Sequence, residues 1–409
     1  MITERQELFL ARVEAYGVYL YVFCLFFDKG EGLRNIGMYG SFAAWTVLLY
    51  QGKRPVFPKN VIFLALCCYF SSAVLSSALS IEPAYSFGAL LHDSPKIVIP
   101  FLVVSTSFDL KRIMDLCKII CSAGLVILVM GAHGFIVQGD IFYRSVNSFL
   151  TVDKNEYGFF LAFIMPFFWM FFVERSGWKK YLWRVSSIWG VAATALTGSR
   201  GSMAAVAYEI SFWAASGFWK IPWKKVTGIG TAIVLAGVLT FPLWPQQFKD
   251  SVSTLPSHIV TMTDRVDAFW VPALQAVEKK PLAGWGYGKK IYRDPRPFEG
   301  GEKPLWEWHG GLHSTFLTVL FHQGLLGFFA YLFVLLSNGY CLLFVLKKRD
   351  DNGKTLALSL LSILIGAFII NSLILVVPLQ RLVVASAMSA ALMKDTCRRV
   401  DRSVAVEMP

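Results

Sequence analysis

The feature that most constrains this 409-residue chain is a succession of apolar runs separated by short charged segments. Runs of roughly 17 to 25 apolar residues are long enough to cross about 30 Å of hydrocarbon as α-helices. Hydrophobic residues make up 55% of the chain and charged residues only 16%, which is too apolar for an ordinary soluble domain. The sequence therefore predicts an all-α, polytopic membrane protein.

The apolar runs and the basic residues between them predict about twelve membrane spans, with both termini in the cytoplasm. The predicted spans cover residues 10–28, 35–50, 60–79, 85–107, 113–136, 156–174, 183–198, 202–218, 227–245, 324–346, 355–376 and 380–394. With these spans, all basic clusters lie on the cytoplasmic side of the membrane, as the positive-inside rule requires. The predicted parts are spans one to nine (1–245), a periplasmic loop subdomain carrying the site residues (246–323), spans ten to twelve (324–394) and a cytoplasmic tail (395–409).

The net charge of +12 is explained by this topology. Lysines and arginines gather in the predicted cytoplasmic segments, where they orient the chain and contact anionic headgroups. Membrane lipids, and not nucleic acid, are therefore the expected partners. The seven cysteines lie in predicted spans or in the tail and include no CxxC pair, which argues against a disulfide framework.

An amphipathic helix is predicted within the loop subdomain, lying across the outer mouth of the membrane domain. Thr261 and Asp264 have the spacing of a capping box, and Lys279, Lys280 and Pro281 form a stop signal. The residues at helical spacing on its apolar face are Val266, Phe269, Trp270, Ala273, Leu274 and Val277.

Two arginines are candidate anion-binding residues. Arg200 follows a long apolar run in TGSRGS, so its guanidinium is predicted near the outer surface, where an ionisable group typically marks a substrate path. Arg265 occupies the first turn of the loop helix, where the helix dipole favours acids, which indicates an anionic partner. The simpler alternatives are snorkelling of Arg200 to headgroups and a salt bridge from Arg265 to Asp264 or Asp267.

His313 is the candidate general base. It stands where the polar WEWHGGLHS gives way to an apolar helix, with Ser314 beside it and His309 four residues earlier. A neutral imidazole can take a proton from a hydroxyl, although a lone histidine at a helix start is more often structural. His309 and His313 have the spacing of a zinc pair, but the carboxylate of an HExxH motif is absent, so no metal is expected.

The common nucleotide and hydrolase signatures are missing, because the chain has no P-loop, no dinucleotide fingerprint after a strand and no GxSxG elbow. GWGYG follows a predicted helix, so its glycines are interpreted as a tight turn and not as a phosphate cradle. The basic residues after it either attract an anionic substrate or form a solvated patch near headgroups. They are Lys289, Lys290, Arg293 and Arg296.

Three motifs occur in a fixed order: TGSRG, then DRxxAFW followed by PLAGWGYG, then HSTFLxxLxxxGLLG. This order resembles the O-antigen ligase and polymerase superfamily, the membrane glycosyltransferases that act on undecaprenyl-diphosphate-linked glycans. The resemblance covers residues 155–330. It implies a GT-C-like fold in the bacterial inner membrane, with the active site facing the periplasm.

The resemblance also implies roles for individual residues. His313 would be the general base on the acceptor hydroxyl, and Arg200 and Arg265 would bind the diphosphate. Asn155 matches a further family position and is expected to assist. Ser314 departs from the family, which usually has asparagine after the histidine.

The implied reaction is transfer of O-antigen glycan to lipid A–core in lipopolysaccharide assembly. We expect a single inverting displacement without metal or cofactor, because arginines can replace a divalent cation at a diphosphate. A ligase is favoured over a polymerase by the twelve spans and the one dominant outer loop, and a pilin-directed oligosaccharyltransferase ranks lower. A transporter of anionic lipid or solute is the alternative from another class, but the candidate residues gather at one membrane face and not at the midplane.

Overall fold

The computed structural model describes residues 2–138, 154–172, 177–217, 266–300, 312–373 and 379–407. Within these ranges the chain is helical and contains no strand, which confirms the predicted all-α class. The α-helices are α1 (Glu4–Cys24), α2 (Glu31–Tyr50), α3 (Val61–Ala78), α4 (Pro83–Ser107), α5 (Leu110–Gln138), α6 (Lys154–Phe172), α7 (Lys179–Leu196), α8 (Arg200–Ala215), α9 (Val271–Lys279), α10 (Thr315–Lys348), α11 (Asn352–Ile363) and α12 (Leu379–Glu407).

Six helical stretches in the described ranges are long and apolar enough to cross a membrane. They are Val61–Ala78, Pro83–Ser107, Leu110–Gly134, Asn155–Phe172, Thr315–Lys348 and Asn352–Leu373, and each overlaps a predicted span. Five further predicted spans overlap α1, α2, α7, α8 and α12. The predicted span 227–245 lies outside the described residues.

Two predicted boundaries differ from the structure. α10 begins at Thr315, inside the segment assigned to the loop subdomain, and α12 continues to Glu407, through most of the segment assigned to the tail. Hydropathy locates the part of a helix that lies in lipid, but polar residues can extend a helix beyond the membrane. The ends of α10 and α12 therefore could not be read from apolar runs.

Helix α6 lies at the centre of the described bundle. Residues 157–170 are buried without interruption, as expected for a helix that is apolar on every face. It packs against α5, α7, α8 and α11. The phenylalanines of α6 contact one another and Phe368, which belongs to the π-helical continuation of α11 over Leu364–Ile370. The N-terminus of α6 is thus surrounded by other helices.

Helix α10 is interrupted at Gly324, whose φ of 63° and ψ of −162° are not helical. An interruption leaves backbone N–H groups without their partners one turn earlier. The segment after α9 supplies replacements, because Leu325 N–H donates to the carbonyl of Pro281 at 2.7 Å and Leu326 N–H to that of Leu282 at 3.2 Å. A loop from elsewhere in the chain therefore completes the helix.

The carbonyls on the other side of the interruption are satisfied in the same way. Phe321 C=O accepts from Trp285 N–H at 3.1 Å, and His322 C=O accepts from Gly286 N–H at 3.0 Å. The hydroxyl of Ser76 on α3 donates to the same His322 carbonyl at 2.5 Å. The interruption is therefore paired on both sides, and the loop is attached to α10 through backbone hydrogen bonds.

The glycines of GWGYG make this close approach possible. Gly284 has a φ of +69°, and a Cβ placed there would lie 2.6 Å from Gly324 N and from the backbone of His322. Gly286, with a φ of +120°, lies against Ser80 with no room for a side chain. The interpretation of this motif as a tight turn is confirmed, and its glycines are needed for backbone packing.

The predicted loop helix is present as a π turn over Val266–Trp270 followed by α9, which ends at Lys279 as predicted. The predicted capping residues Thr261 and Asp264 lie outside the described residues. The apolar face was partly wrong, because Leu274 is 46% exposed whereas Ala276 is buried. A π turn has more residues per turn than an α-helix, so it rotates the later residues away from a uniform α-helical spacing.

The C-terminal end of α10 and the middle of α12 are joined by the buried Arg349. Its guanidinium, with the side chain 2% exposed, contacts Asp395 at 2.7 Å and Asp351 at 2.8 Å. Arg349 holds the pKa of Asp351 at about 2, well below its usual range. Because this pKa is depressed, the contribution of the pair to stability is present above pH ~4 and is lost as the pH falls toward 2.

We expect Arg349→Met to lower the free energy of unfolding by about 1–3 kcal/mol at neutral pH, because two carboxylates lose a charged partner. The difference from wild type should narrow as the pH is lowered from 4 to 2. Thermal unfolding of the purified protein in detergent at several pH values measures both effects. Arg399→Met is the matched control, because Arg399 is 58% exposed and its pair with Asp351 is screened by solvent. Equal losses of unfolding free energy in the two variants would contradict a special role for the buried Arg349.

Candidate functional site

Three helix N-termini meet at one end of the bundle. Helices α6 and α8 cross closely, since a Cβ on Gly158 would lie 2.6 Å from Ser202 Oγ and 3.2 Å from Ser199 Cβ. Helices α6 and α12 are joined by Arg381, whose Nη2 lies 3.2 Å from Oε1 of Glu156. Helix N-termini carry partial positive charge, so this end of the bundle favours an anion.

Arg200 is the first residue of α8, after a turn at Gly198 with a φ of +63°. The turn is closed by Ser199 N–H, which donates to Thr197 Oγ1 at 3.0 Å, and the Ser199 hydroxyl bonds to that of Ser202 at 3.1 Å. Arg200 is half-buried. This agrees with the predicted position at the end of an apolar helix.

Asn155 lies in the first turn of α6, also half-buried. It is three residues before Gly158 and therefore on the face of α6 that packs against α8. The fold thus brings Asn155 and Arg200 to the facing ends of two neighbouring helices.

Arg381 was not singled out from the sequence, although it lies within a predicted span. It is 5% exposed and occupies the first turn of α12. Its guanidinium carbon lies 3.9 Å from the ring centroid of Phe160 and 5.3 Å from that of Phe159. A buried ionisable residue in a predicted span is itself a signal of function, and that signal could have identified Arg381.

His313 lies two residues before the start of α10 and is half-buried. Its φ of +51° is in the left-handed region, and it is the only non-glycine residue with positive φ in the described ranges. The imidazole meets the ring of Phe269 edge to face, with centroids 5.5 Å apart. Just before it, the carbonyl of Leu312 accepts from Trp270 Nε1 at 3.1 Å, so the π turn before α9 fixes both sides of this segment.

Ser314 is the N-cap of α10. Its hydroxyl oxygen accepts from Leu317 N–H at 3.4 Å, and its O–H donates to the carbonyl of Ser372 at 3.2 Å. These bonds give Ser314 a structural role at the position where the family usually has asparagine.

The turn over Asn371–Leu373 connects this segment to α8. It contacts both α8 and α10. In the π-helical segment before the turn, Gly366 lies against the carboxylate of Glu209 on α8. Contacts along α6 show that α8 runs parallel to α6 and that α11 with its continuation runs antiparallel to α6, so Arg200 lies toward the turn. His313 and Arg200 consequently lie toward the same end of the bundle.

The four basic residues after GWGYG are all exposed, and two of them form ion pairs. Lys290 forms an ion pair with Glu82 at 2.8 Å, and Arg296 contacts Glu82 at 3.4 Å and Asp294 at 2.5 Å. These pairs attach the loop to the N-terminus of α4. Lys289 and Arg293 are the other two members of the predicted patch.

Arg265 and His309 lie outside the described residues, so their predicted roles remain predictions. In the part of the chain that the structure describes, no group of three His, Cys, Asp or Glu side chains could hold a metal ion.

Residues 185–332 match the O-antigen ligase family. The matched stretch runs from within α7 into α10 and includes Arg200 and His313, whereas Asn155 and Arg381 lie outside it. No curated protein matches the chain.

Proposed function

Because residues 185–332 place the chain in the O-antigen ligase superfamily, we propose that it is a membrane glycosyltransferase that moves a glycan from undecaprenyl diphosphate to lipid A–core. The observation that carries this proposal is the meeting of three helix N-termini beside Arg200. A site of this kind suits a diphosphate, because N–H dipoles and a fixed guanidinium both stabilise negative charge. The family match supports the same substrate class.

In the proposed reaction, His313 accepts the proton of an acceptor sugar hydroxyl. The hydroxyl oxygen attacks the anomeric carbon of the donor as the bond from that carbon to the diphosphate oxygen breaks. Undecaprenyl diphosphate leaves with the bonding electron pair, and the configuration at the anomeric carbon inverts. Arg200 and Arg265 stabilise the charge that develops on the leaving diphosphate, and no metal is required.

The orientation of the chain supports a periplasmic site in the inner membrane. Helix α10 begins beside His313 and ends at the basic pair Lys347 and Lys348. From the interruption at Gly324 to Lys348 the helix extends about 36 Å, which is enough to cross a bilayer, so His313 lies on the side opposite the lysines. The positive-inside rule assigns the lysines to the cytoplasm and hence His313 to the periplasm.

The test is transfer by the purified protein, reconstituted with undecaprenyl-diphosphate glycan and lipid A–core in EDTA, with products identified by mass. We expect glycan on lipid A–core in the wild type and a loss of about a hundredfold in Arg200→Ala. Arg399→Ala is the matched control, since it removes an exposed guanidinium at the opposite end of the bundle. Its activity should be unchanged.

Other products would point to the other candidate reactions. Longer lipid-linked glycan would indicate a polymerase, and glycan on an added pilin would indicate an oligosaccharyltransferase. Absence of product with every acceptor, together with movement of the lipid-linked glycan across the membrane, would indicate a transporter.

A further inference from the structure

We propose that Arg381 is a further binding residue for the diphosphate of the lipid-linked donor and that Glu156 holds its guanidinium in place until the donor arrives. This inference rests on the proposed function. It adds a residue outside the stretch matched to the family and outside the candidates identified from the sequence.

Arg381 on α12 packs against the first turns of α6. Glu156 and Phe160 lie four residues apart and share one face of α6, and both contact Arg381. Asn155 and Gly158 mark the neighbouring face, which packs against the start of α8, the helix that begins at Arg200. The N-terminus of α6 therefore separates two arginines, and a group bound over that N-terminus can be reached from both sides.

Positive charge is concentrated at these helix N-termini. Arg200 and Arg381 are both in the first turn of a helix, where the helix dipole disfavours a cation. Three positive helix N-termini and two guanidiniums gather here, and Glu156 is the carboxylate paired with Arg381. A diphosphate bound here would meet positive charge from the helix N-termini and from both guanidiniums.

The guanidinium of Arg381 lies in a buried, partly aromatic environment. Phe159 and Phe160 hold Arg381 from one side and exclude water, which strengthens any charge-assisted bond that it makes. The side chain of Glu156 is 35% exposed, whereas that of Arg381 is 6% exposed. The carboxylate is thus the partner that can move into solvent, while the guanidinium stays fixed.

A polar group in the adjoining turn also points to a ligand. Asn371 is 1% exposed, and neither atom of its side-chain amide has a hydrogen-bond partner in the described structure. Buried amides normally have partners. The turn that carries Asn371 contacts α8 and the start of α10. A phosphate oxygen in this region could accept from its amide nitrogen.

The two members of the ion pair give opposite predictions. Arg381→Gln should weaken binding of undecaprenyl diphosphate roughly tenfold to a hundredfold, because a charged donor is lost. Glu156→Gln should tighten binding, because it removes the carboxylate that competes with the phosphate. If the pair were only a structural link between α6 and α12, both variants would lose stability and both would bind more weakly.

Binding is measured by titrating the purified protein in detergent with undecaprenyl diphosphate, undecaprenyl monophosphate and phosphatidylglycerol. We expect Arg381→Gln to affect the diphosphate most and phosphatidylglycerol least. An equal effect on all three lipids would show a general headgroup site and overturn the inference. Arg381→Lys keeps the charge but not the planar fork, so it should fold like wild type and bind with intermediate affinity.

Wild-type glycan transfer separates the failure of this inference from that of the proposed function. If the wild type transfers glycan while Arg381→Gln binds the diphosphate normally, the inference is wrong and the function stands. The inference is equally wrong if Glu156→Gln weakens binding as much as Arg381→Gln. If the wild type neither transfers glycan nor binds the diphosphate, both proposals fail.

Discussion

Replacing His313 with asparagine should reduce glycan transfer roughly 10²- to 10⁴-fold, the usual contribution of a general base, while leaving the protein folded. Asparagine is the informative substitution because His313 has a φ of +51°. Asn adopts left-handed backbone more readily than other residues, so the variant loses the imidazole without adding backbone strain. Alanine would remove the imidazole and strain the backbone at the same time, so the cause of a slower rate would not be identified.

The measurement is the initial rate of product formation, read by mass, alongside the midpoint of thermal unfolding. His313→Val is the contrasting variant, because a β-branched residue in this conformation should lower the unfolding midpoint as well as the rate. If His313→Asn keeps most of the wild-type rate while Arg200→Ala loses it, the proton is accepted by another group and the proposed role of His313 is wrong.

The second large effect is expected on stability. Gly284→Ala should lower the free energy of unfolding by about 2–5 kcal/mol, because left-handed backbone and a steric clash add. The new methyl would lie 2.6 Å from backbone atoms of Gly324 and His322 at the interruption of α10. Neither backbone segment can move away without losing the hydrogen bonds that join the loop to the helix.

Gly52→Ala is the matched control for Gly284→Ala. Gly52 has a φ of +70°, nearly that of Gly284, and no atom lies within 4 Å of an added Cβ. Both variants place alanine in left-handed backbone and are destabilised equally by that strain. The difference between their unfolding free energies therefore measures the close packing alone. Equal destabilisation would mean that the loop yields easily and that its attachment to α10 is weak.

The local pattern of the sequence was sufficient for several features. Runs of apolar residues gave the helical membrane class, because a helix of fixed rise must match the thickness of the bilayer. The glycines of GWGYG indicated a tight turn, since glycine adopts positive φ without strain. The end of α9 at Lys279 was likewise marked by its own residues.

Other features depended on residues far apart in the chain. The sequence locates Gly324 but not the loop that completes the helix there, and an i, i+3, i+4 pattern cannot anticipate the π turn that exposes Leu274. Arg381 could be noticed in the sequence as an ionisable residue within a predicted span, but its ion pair with Glu156, 225 residues earlier, could not. Periodicity and propensity act between near neighbours, so they determined the class and many of the helices. Contacts between distant segments, which determine where charges meet, were decided by tertiary packing.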